Sequence, residues 1–282
     1  MTPQIPALTL NDGHDIPALG FGTYPLKGDD GYRAIRAALD AGYRLVDSAV
    51  NYENEEEVGR AIRDFLKESG TPREDVTVQT KIPGRHHAYD LAVQAGRDSA
   101  AKMGLDQIDV LLIHWPNPSA GLYKEAWRGL VALREAGVAR SIGVSNFTAA
   151  HLADVVDDSG VTPAVNQIEL HPAFQQRALR AHQEQWGIRT ESWGPLGQGK
   201  YELAELPGLA DIAAAHGKSV QQVAIRWHLQ EGLIVFPKTT KRERMIENAD
   251  VFDFELSADE MATIAAADKG QRVGAHPDNT DF

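Results

Sequence analysis

A chain of 282 residues, 43% of them hydrophobic, can bury a large core and exceeds one ordinary domain, which suits either one α/β barrel or two modest domains. It contains no cysteine, so a disulfide framework, a thiolate nucleophile and a Cys-ligated zinc or iron–sulfur centre are all excluded. The net charge of −12 argues against a nucleic-acid or anionic-membrane partner, either of which needs a basic face to neutralise phosphates.

At the N-terminus, MTPQIPALTLNDGHDIP lacks a charged segment followed by an apolar one, and no later run approaches the roughly 18–20 apolar residues of a membrane helix. A soluble, cytoplasmic protein is the expectation. Leu8–Asn11 and His14–Ile16 flank Asp12-Gly13, a tight-turn pair, and predict a small hairpin that could plug the lower end of a barrel. From there short β-branched runs alternate with longer amphipathic stretches. The predicted strands are Leu19–Phe21, Leu45–Asp47, Val76–Lys81, Ile108–His114, Ala139–Ser145, Val165–Glu169, Arg189–Trp193 and Leu233–Phe236. The helical stretches between them are Gly31–Asp40, Glu55–Glu68, Leu91–Met103, Tyr123–Ala136, Ala149–Asp157, Ala178–Trp186 and Ser219–Leu229. Ser257 to Glu260 is a capping-box pattern that opens one more helix, and the tail from Gly270 to Phe282 reads as a polar surface loop. No Pro/Gly/Ser-rich linker interrupts the series, so residues 1–282 are expected to form one domain. Parallel strands each followed by a helix at this rhythm predict a closed (β/α)₈ TIM barrel with an N-terminal β-hairpin and a C-terminal helix plus loop; an open doubly wound sheet is the alternative.

In such a barrel the active site forms where strands end, so polar residues there carry the information. Asp47 ends one predicted strand, Lys81 the next, and His114 follows the apolar run Val110–Ile113. Tyr52 lies in the loop after Asp47 and can lean over the same mouth. Any one of these alone fits an ordinary strand-end or packing residue. Together they make a proton-donor system: an ammonium stabilises a phenolate, a carboxylate holds the ammonium, and an imidazole orients a carbonyl oxygen.

These segments resemble the aldo-keto reductases over nearly the whole chain. GYRLVDSAVNYENEEEVGRAI is similar to the family's Asp-to-Tyr signature, VTVQTKI to its lysine strand and DVLLIHWP to its histidine strand. The resemblance implies NADPH-dependent reduction of aldehydes and ketones, with Asp47, Tyr52, Lys81 and His114 as the catalytic tetrad and Tyr52 as proton donor. RSIGVSNF, NQIELHP and ESWGPLGQG are similar to the cofactor-holding stretches. The resemblance then gives the carboxamide to Ser145, Asn146 and Gln167, the nicotinamide face to Trp193, and the pyrophosphate to Gly194, Leu196, Gly197, Gln198 and Gly199. Gly22, Thr23 and Tyr24 after the first strand join that set. FPKTTKRERMIENADVFDFEL looks like the adenosine-phosphate segment, implying Lys238, Thr239 and Lys241 for the 2′-phosphate, Arg244 for the adenine face, Glu247 and Asn248 for its edge, and Thr240 as a further cofactor-binding residue. Independently, a basic cluster at a helix start in an acidic protein favours an anion. Many members carry Arg where Lys241 stands, so NADPH is expected to be preferred over NADH only moderately.

The substrate pocket is expected around Tyr24, Tyr52, Pro83, His114 and Trp115, with Leu26 and the tail near Gln271–Pro277 as further walls. Bacterial members resembling this chain reduce small aldehydes, α-dicarbonyls or keto-sugar acids, and a monomer without membrane or nucleic-acid partner is expected. Two rival readings differ in class. A metal-dependent barrel hydrolase would draw on His86, His87, His114, Glu169, His171 and Asp47, but the strand-end HxH spacing of such sites is missing, and no metal is expected. A nucleotide-binding regulatory module would share the cofactor site without turnover. A Rossmann dehydrogenase has no support, because GxGxxG is absent.

Overall fold

A computed structural model describes residues 4–280. Strands β1 (Ala7–Thr9) and β2 (Asp15–Pro17) form the expected antiparallel hairpin, with Leu8 opposite Ile16. Gly13 takes a φ of 87° in its turn, a conformation that side chains disfavour. Leu10 and the fully buried Ile16 pack on Leu45, Val110, Leu112, Val165, Ile234 and Phe236, side chains at the lower end of the barrel, so the hairpin is its floor.

Eight strands follow in one parallel sheet: β3 (Phe21–Gly22), β4 (Leu45–Asp47), β5 (Thr77–Ile82), β6 (Ile108–Ile113), β7 (Ala139–Ser145), β8 (Val165–Glu169), β9 (Arg189–Trp193) and β10 (Ile234–Val235). Each pairs with its chain neighbours. The ring closes where the Val235 N–H donates to Ala18 O at 3.0 Å and the Gly20 N–H donates to Val235 O at 2.9 Å, next to a parallel bridge from Leu19 to Val235. A closed barrel results, and the open-sheet alternative falls. The seam demands Gly20, since a Cβ there would lie 2.5 Å from the Phe236 ring. It also moves the first strand: residues 18–20 bond to β10 and residues 21–22 to β4, so the ladder begins later than the predicted Leu19–Phe21.

Helices α1 (Gly28–Asp40), α2 (Glu55–Ser69), α3 (Tyr89–Met103), α4 (Tyr123–Glu135), α5 (Ala149–Ser159), α6 (Arg177–Gln185), α7 (Leu209–His216), α8 (Val220–Gln230), α9 (Arg242–Ala249) and α10 (Ala258–Ala266) sheathe the ring. Every residue of β6 and β8 is buried, as expected for parallel strands covered on both faces. The Ser257 box opens α10 as predicted, with the Glu260 N–H donating to Ser257 Oγ at 3.3 Å and the Ser257 N–H to Glu260 Oε2 at 2.7 Å. Beyond α10 the chain is held beside β8 rather than lying loose on the surface; Asp281 and Phe282 lie outside the described residues. No helix among the described residues is long and apolar enough to cross a membrane.

Candidate active site

Strand ends bring the four predicted side chains to one mouth. Asp47 is the last residue of β4, Lys81 is penultimate in β5, and His114 follows β6 directly, its N–H donating to Ile82 O at 2.9 Å. Lys81 is wholly buried and donates from Nζ to Asp47 Oδ1 at 2.6 Å and to Ser48 O at 2.7 Å. The same ammonium lies 5.2 Å from the Tyr52 ring centroid. Tyr52 meets His114 edge-on at 5.6 Å between ring centroids and Tyr24 at 5.1 Å.

Tyr52 owes its place to Asn54, which the sequence reading did not single out, and to Thr23, which it gave to the cofactor. The fully buried Asn54 accepts from Ser48 Oγ at 2.6 Å and donates to Leu26 O at 2.8 Å and Thr23 Oγ1 at 3.1 Å. Thr23 in turn donates its hydroxyl to Asp47 O at 2.9 Å. Both ends of the tyrosine loop are thereby tied to the loop after β3. As a residue before three glutamates Asn54 resembles a helix cap, which disguises this role; its side chain makes no cap hydrogen bond.

Burial works against the Lys81 ammonium, yet Asp47, Tyr52, the hydrogen bond to Asp47 and Glu191 outweigh it and hold the lysine above its ordinary value. Burial raises the Tyr52 phenol, and Lys81 opposes that rise without cancelling it. The expected activation by Lys81 is therefore partial: the tyrosine stays protonated at neutral pH, and the lysine reduces the cost of its phenolate. His114 is held far below the ordinary histidine value by burial and then by Lys81, so it is a neutral hydrogen-bonding imidazole. Its Nδ1 is buried without a hydrogen-bond partner among the described residues.

Beside this cluster stand the residues expected to hold the nicotinamide. Ser145 Oγ donates to Gln167 O at 2.8 Å, Asn146 Nδ2 to His114 O at 3.0 Å, and Trp193 Nε1 to Asn146 Oδ1 at 2.8 Å. Asn146 adopts a φ of 62° to make these bonds. The Gln167 amide points inward, donating to Glu191 Oε2 at 2.9 Å and Asp47 Oδ1 at 3.2 Å. Further along the mouth a cavity of about 400 Å³ is lined by Leu196, Gly199, Lys238, Thr239, Arg244, Glu247 and Asn248, all expected cofactor residues, and by Tyr201, Glu202, Leu203 and Gln221, which were not anticipated. Gly197 takes a φ of 73° and packs so closely on the Tyr201 ring that no Cβ would fit. Thr240 and Lys241 do not line the cavity; Lys241 stands exposed at the N-cap of α9, and its N–H donates to Thr239 Oγ1 at 3.1 Å. Gly22 lies against Lys238, and Gly194 and Gln198 complete the loop between Trp193 and the cavity. This succession of the Trp193 indole, a glycine-bearing loop and a polar cavity with Lys238 and Arg244 in its wall fits an extended dinucleotide.

Of the expected substrate residues Tyr24 is 61% exposed, while Pro83 and Trp115 are buried. The tail reaches the site through Glu169, the last residue of β8. Glu169 accepts from the Val273 N–H at 2.5 Å and the Gly274 N–H at 3.0 Å, lies 3.5 Å from Arg272, and pairs with His171 Nε2 at 3.2 Å. With Nε2 donating, His171 Nδ1 accepts from Tyr201 O–H at 2.9 Å. One hydrogen-bonded chain thus links the cavity wall to the tail. Glu169, His171 and His114 are engaged in these separate tasks, and no group of three metal-ligating side chains gathers among the described residues.

The pattern of the Aldo/keto reductase family matches residues 18–269. Over 276 residues, 98% of each chain, the protein is 50% identical to 2,5-diketo-D-gluconic acid reductase B of Corynebacterium sp.. It is 43% identical to methylglyoxal reductase DkgA of Escherichia coli over 271 residues, 96% of each chain. The crystal structure of a point mutant of Gox0644 in complex with NADPH superposes with a TM-score of 0.92 at 42% identity, covering 99% of both chains. With the family pattern spanning the barrel and half of all positions shared along its length with one relative, the chain belongs to the aldo-keto reductase family.

Proposed function

We propose that this NADPH-dependent reductase converts small aldehydes, α-dicarbonyls and keto-sugar acids to alcohols, with Tyr52 delivering the proton. The observation that carries the proposal is the Tyr52 phenol set between a buried, Asp47-locked Lys81 ammonium and a neutral His114. Bound NADPH supplies the hydride. The chain's own residues do the rest: the His114 imidazole donates a hydrogen bond to the carbonyl oxygen and orients it, and the Tyr52 O–H gives that oxygen its proton as the carbon is reduced. The phenolate left behind is stabilised by Lys81 and regains a proton from water. Ser145, Asn146, Gln167 and Trp193 would hold the nicotinamide, and Lys238, Thr239, Arg244, Glu247 and Asn248 the adenosine phosphate. The substrate classes are those suggested by the names of the similar diketogluconic acid and methylglyoxal reductases. NADPH consumption against a panel of these carbonyls tests the reading. Turnover of at least one class is expected, whereas NADPH binding without any turnover would favour a regulatory nucleotide-binding module.

A further inference from the structure

Behind the Asp47–Lys81 pair lies a second carboxyl group that the mechanism above does not use. Glu191, in the middle of β9, is wholly buried inside the barrel. Its Oε2 accepts from Gln79 Nε2 at 2.7 Å and Gln167 Nε2 at 2.9 Å. Those same two amide nitrogens donate to Asp47 Oδ1, at 2.8 and 3.2 Å. Two carboxyl groups are therefore clamped by one pair of amides, and the oxygen of Asp47 so clamped is the one that holds Lys81. Glu191 Oε1 and Gln79 Oε1 are buried without hydrogen-bond partners among the described residues. A fold needing only to fill this space would use apolar side chains, since a buried unpaired carboxyl oxygen is costly.

We propose that Glu191 is a positioning residue for proton transfer: through the Gln79 and Gln167 amides it fixes Asp47 on Lys81, and its charge state sets how well Lys81 supports the Tyr52 phenolate. The inference rests on the proton-donor role proposed for Tyr52. From β4 Glu191 faces Asp47, from β5 Gln79 and Lys81, and from β8 Gln167, while its partner in β10 is the apolar Ile234. The Tyr52 phenol and the His114 imidazole lie beyond Lys81. Protonated, Glu191 leaves the Asp47–Lys81 pair neutral overall. Ionised, it adds a negative charge that offsets the lysine as seen from the phenolate. Burial first, and then the charge of Asp47, push its carboxyl up to about 7 against the pull of Gln79, Gln167 and Lys81, so both states are populated in the working range.

The test is the pH profile of kcat for carbonyl reduction, with a deuteride isotope effect showing that chemistry limits turnover. In the wild type kcat should fall by about 3- to 10-fold as pH rises through neutrality, the scale of one added charge acting through a buried site. Glu191→Gln keeps the shape but cannot ionise; its profile should lose that step and stay at the low-pH level, with KM and NADPH affinity within about twofold of the wild type. A retained step, or an equal loss at every pH, would overturn the proposal, since the latter is what a merely structural role predicts. Should the variant not fold, the wild-type profile decides alone, and a flat rate across neutrality overturns the idea. Independent of turnover, ¹³C NMR can follow the Glu191 carboxyl in the wild type and in Lys81→Met. Coupling is reciprocal, so losing the ammonium must move the Glu191 titration upward, and an unmoved titration would overturn the coupling. Failure of the reductase reading shows separately, as wild-type protein that turns over no carbonyl.

Discussion

Burial and the charge of Asp47 raise Glu191 from an ordinary 4.5 to about 7, and this has a consequence for stability as well as for catalysis. Between those values the folded protein keeps a proton that the unfolded chain has released, so stability falls as pH rises from about 4.5 to about 7 and is level above. Glu191→Gln is free of that loss. Its melting temperature relative to wild type should therefore be higher at pH 8 than at pH 5, by the equivalent of about 2–3 kcal/mol. An equal difference at both values would contradict a buried, neutral-pH carboxyl. That Asp47, Lys81 and His114 would meet at one mouth was legible in the sequence because titratable residues ending apolar strands stand out, and Tyr52 followed from its place in the loop after Asp47. Glu191 and Gln79 were not legible, since strands buried on both faces show no alternation that tells barrel interior from exterior. Asn54 was hidden by its likeness to a helix cap.

At the scale of elements, the hairpin, the ring of strands and most helices follow from Asp12-Gly13, from apolar runs and from amphipathic spacing. Helix α7 (Leu209–His216) was missed: it has only eight residues, is rich in alanine, and offers no broad polar face to give it a period. The long contacts between elements were equally invisible, above all the Glu169 bonds to Val273 and Gly274, more than 100 positions away. Charge-assisted hydrogen bonds of this kind are worth about 1.5–3 kcal/mol each. Glu169→Ala should release the tail and lower kcat/KM about 10- to 100-fold, with faster proteolysis near residue 273; unchanged kinetics would remove the tail from the substrate site. Lys241 stands outside the cavity at the N-cap of α9, and its proposed part in cofactor choice is the charge it places near the 2′-phosphate rather than a contact in the cavity wall. A glutamate at that N-cap suits the helix dipole, so Lys241→Glu should fold normally while its charge repels a phosphate. The KM for NADPH should rise about 10-fold with that for NADH within about twofold. Equal effects on both cofactors would show that the Lys241 charge plays no part in cofactor choice.

For the whole molecule, a cofactor spanning from Trp193 to Asn248 would touch β7, β8, β9, α9 and the loops between them, and should bind ahead of the carbonyl. NADPH at about 100 times its Kd should stabilise the fold by about 2.7 kcal/mol, a rise of several degrees in Tm, while carbonyl alone should give none. No shift with saturating NADPH would contradict both the site and the order. The fold class was readable because a (β/α)₈ rhythm is a whole-chain property, whereas ring closure depended on the seam at Gly20, which no local pattern announces. The central claim is that this barrel reduces carbonyls with Tyr52 as the acid. Its most direct test is the single-turnover rate of NADPH oxidation in Tyr52→Phe beside the wild type. The account predicts a loss of at least about 10²–10⁴-fold with NADPH affinity nearly intact, because the ring stays and only the proton is gone. A Tyr52→Phe enzyme that oxidises NADPH at the wild-type rate, with His114→Gln inactive instead, would contradict it.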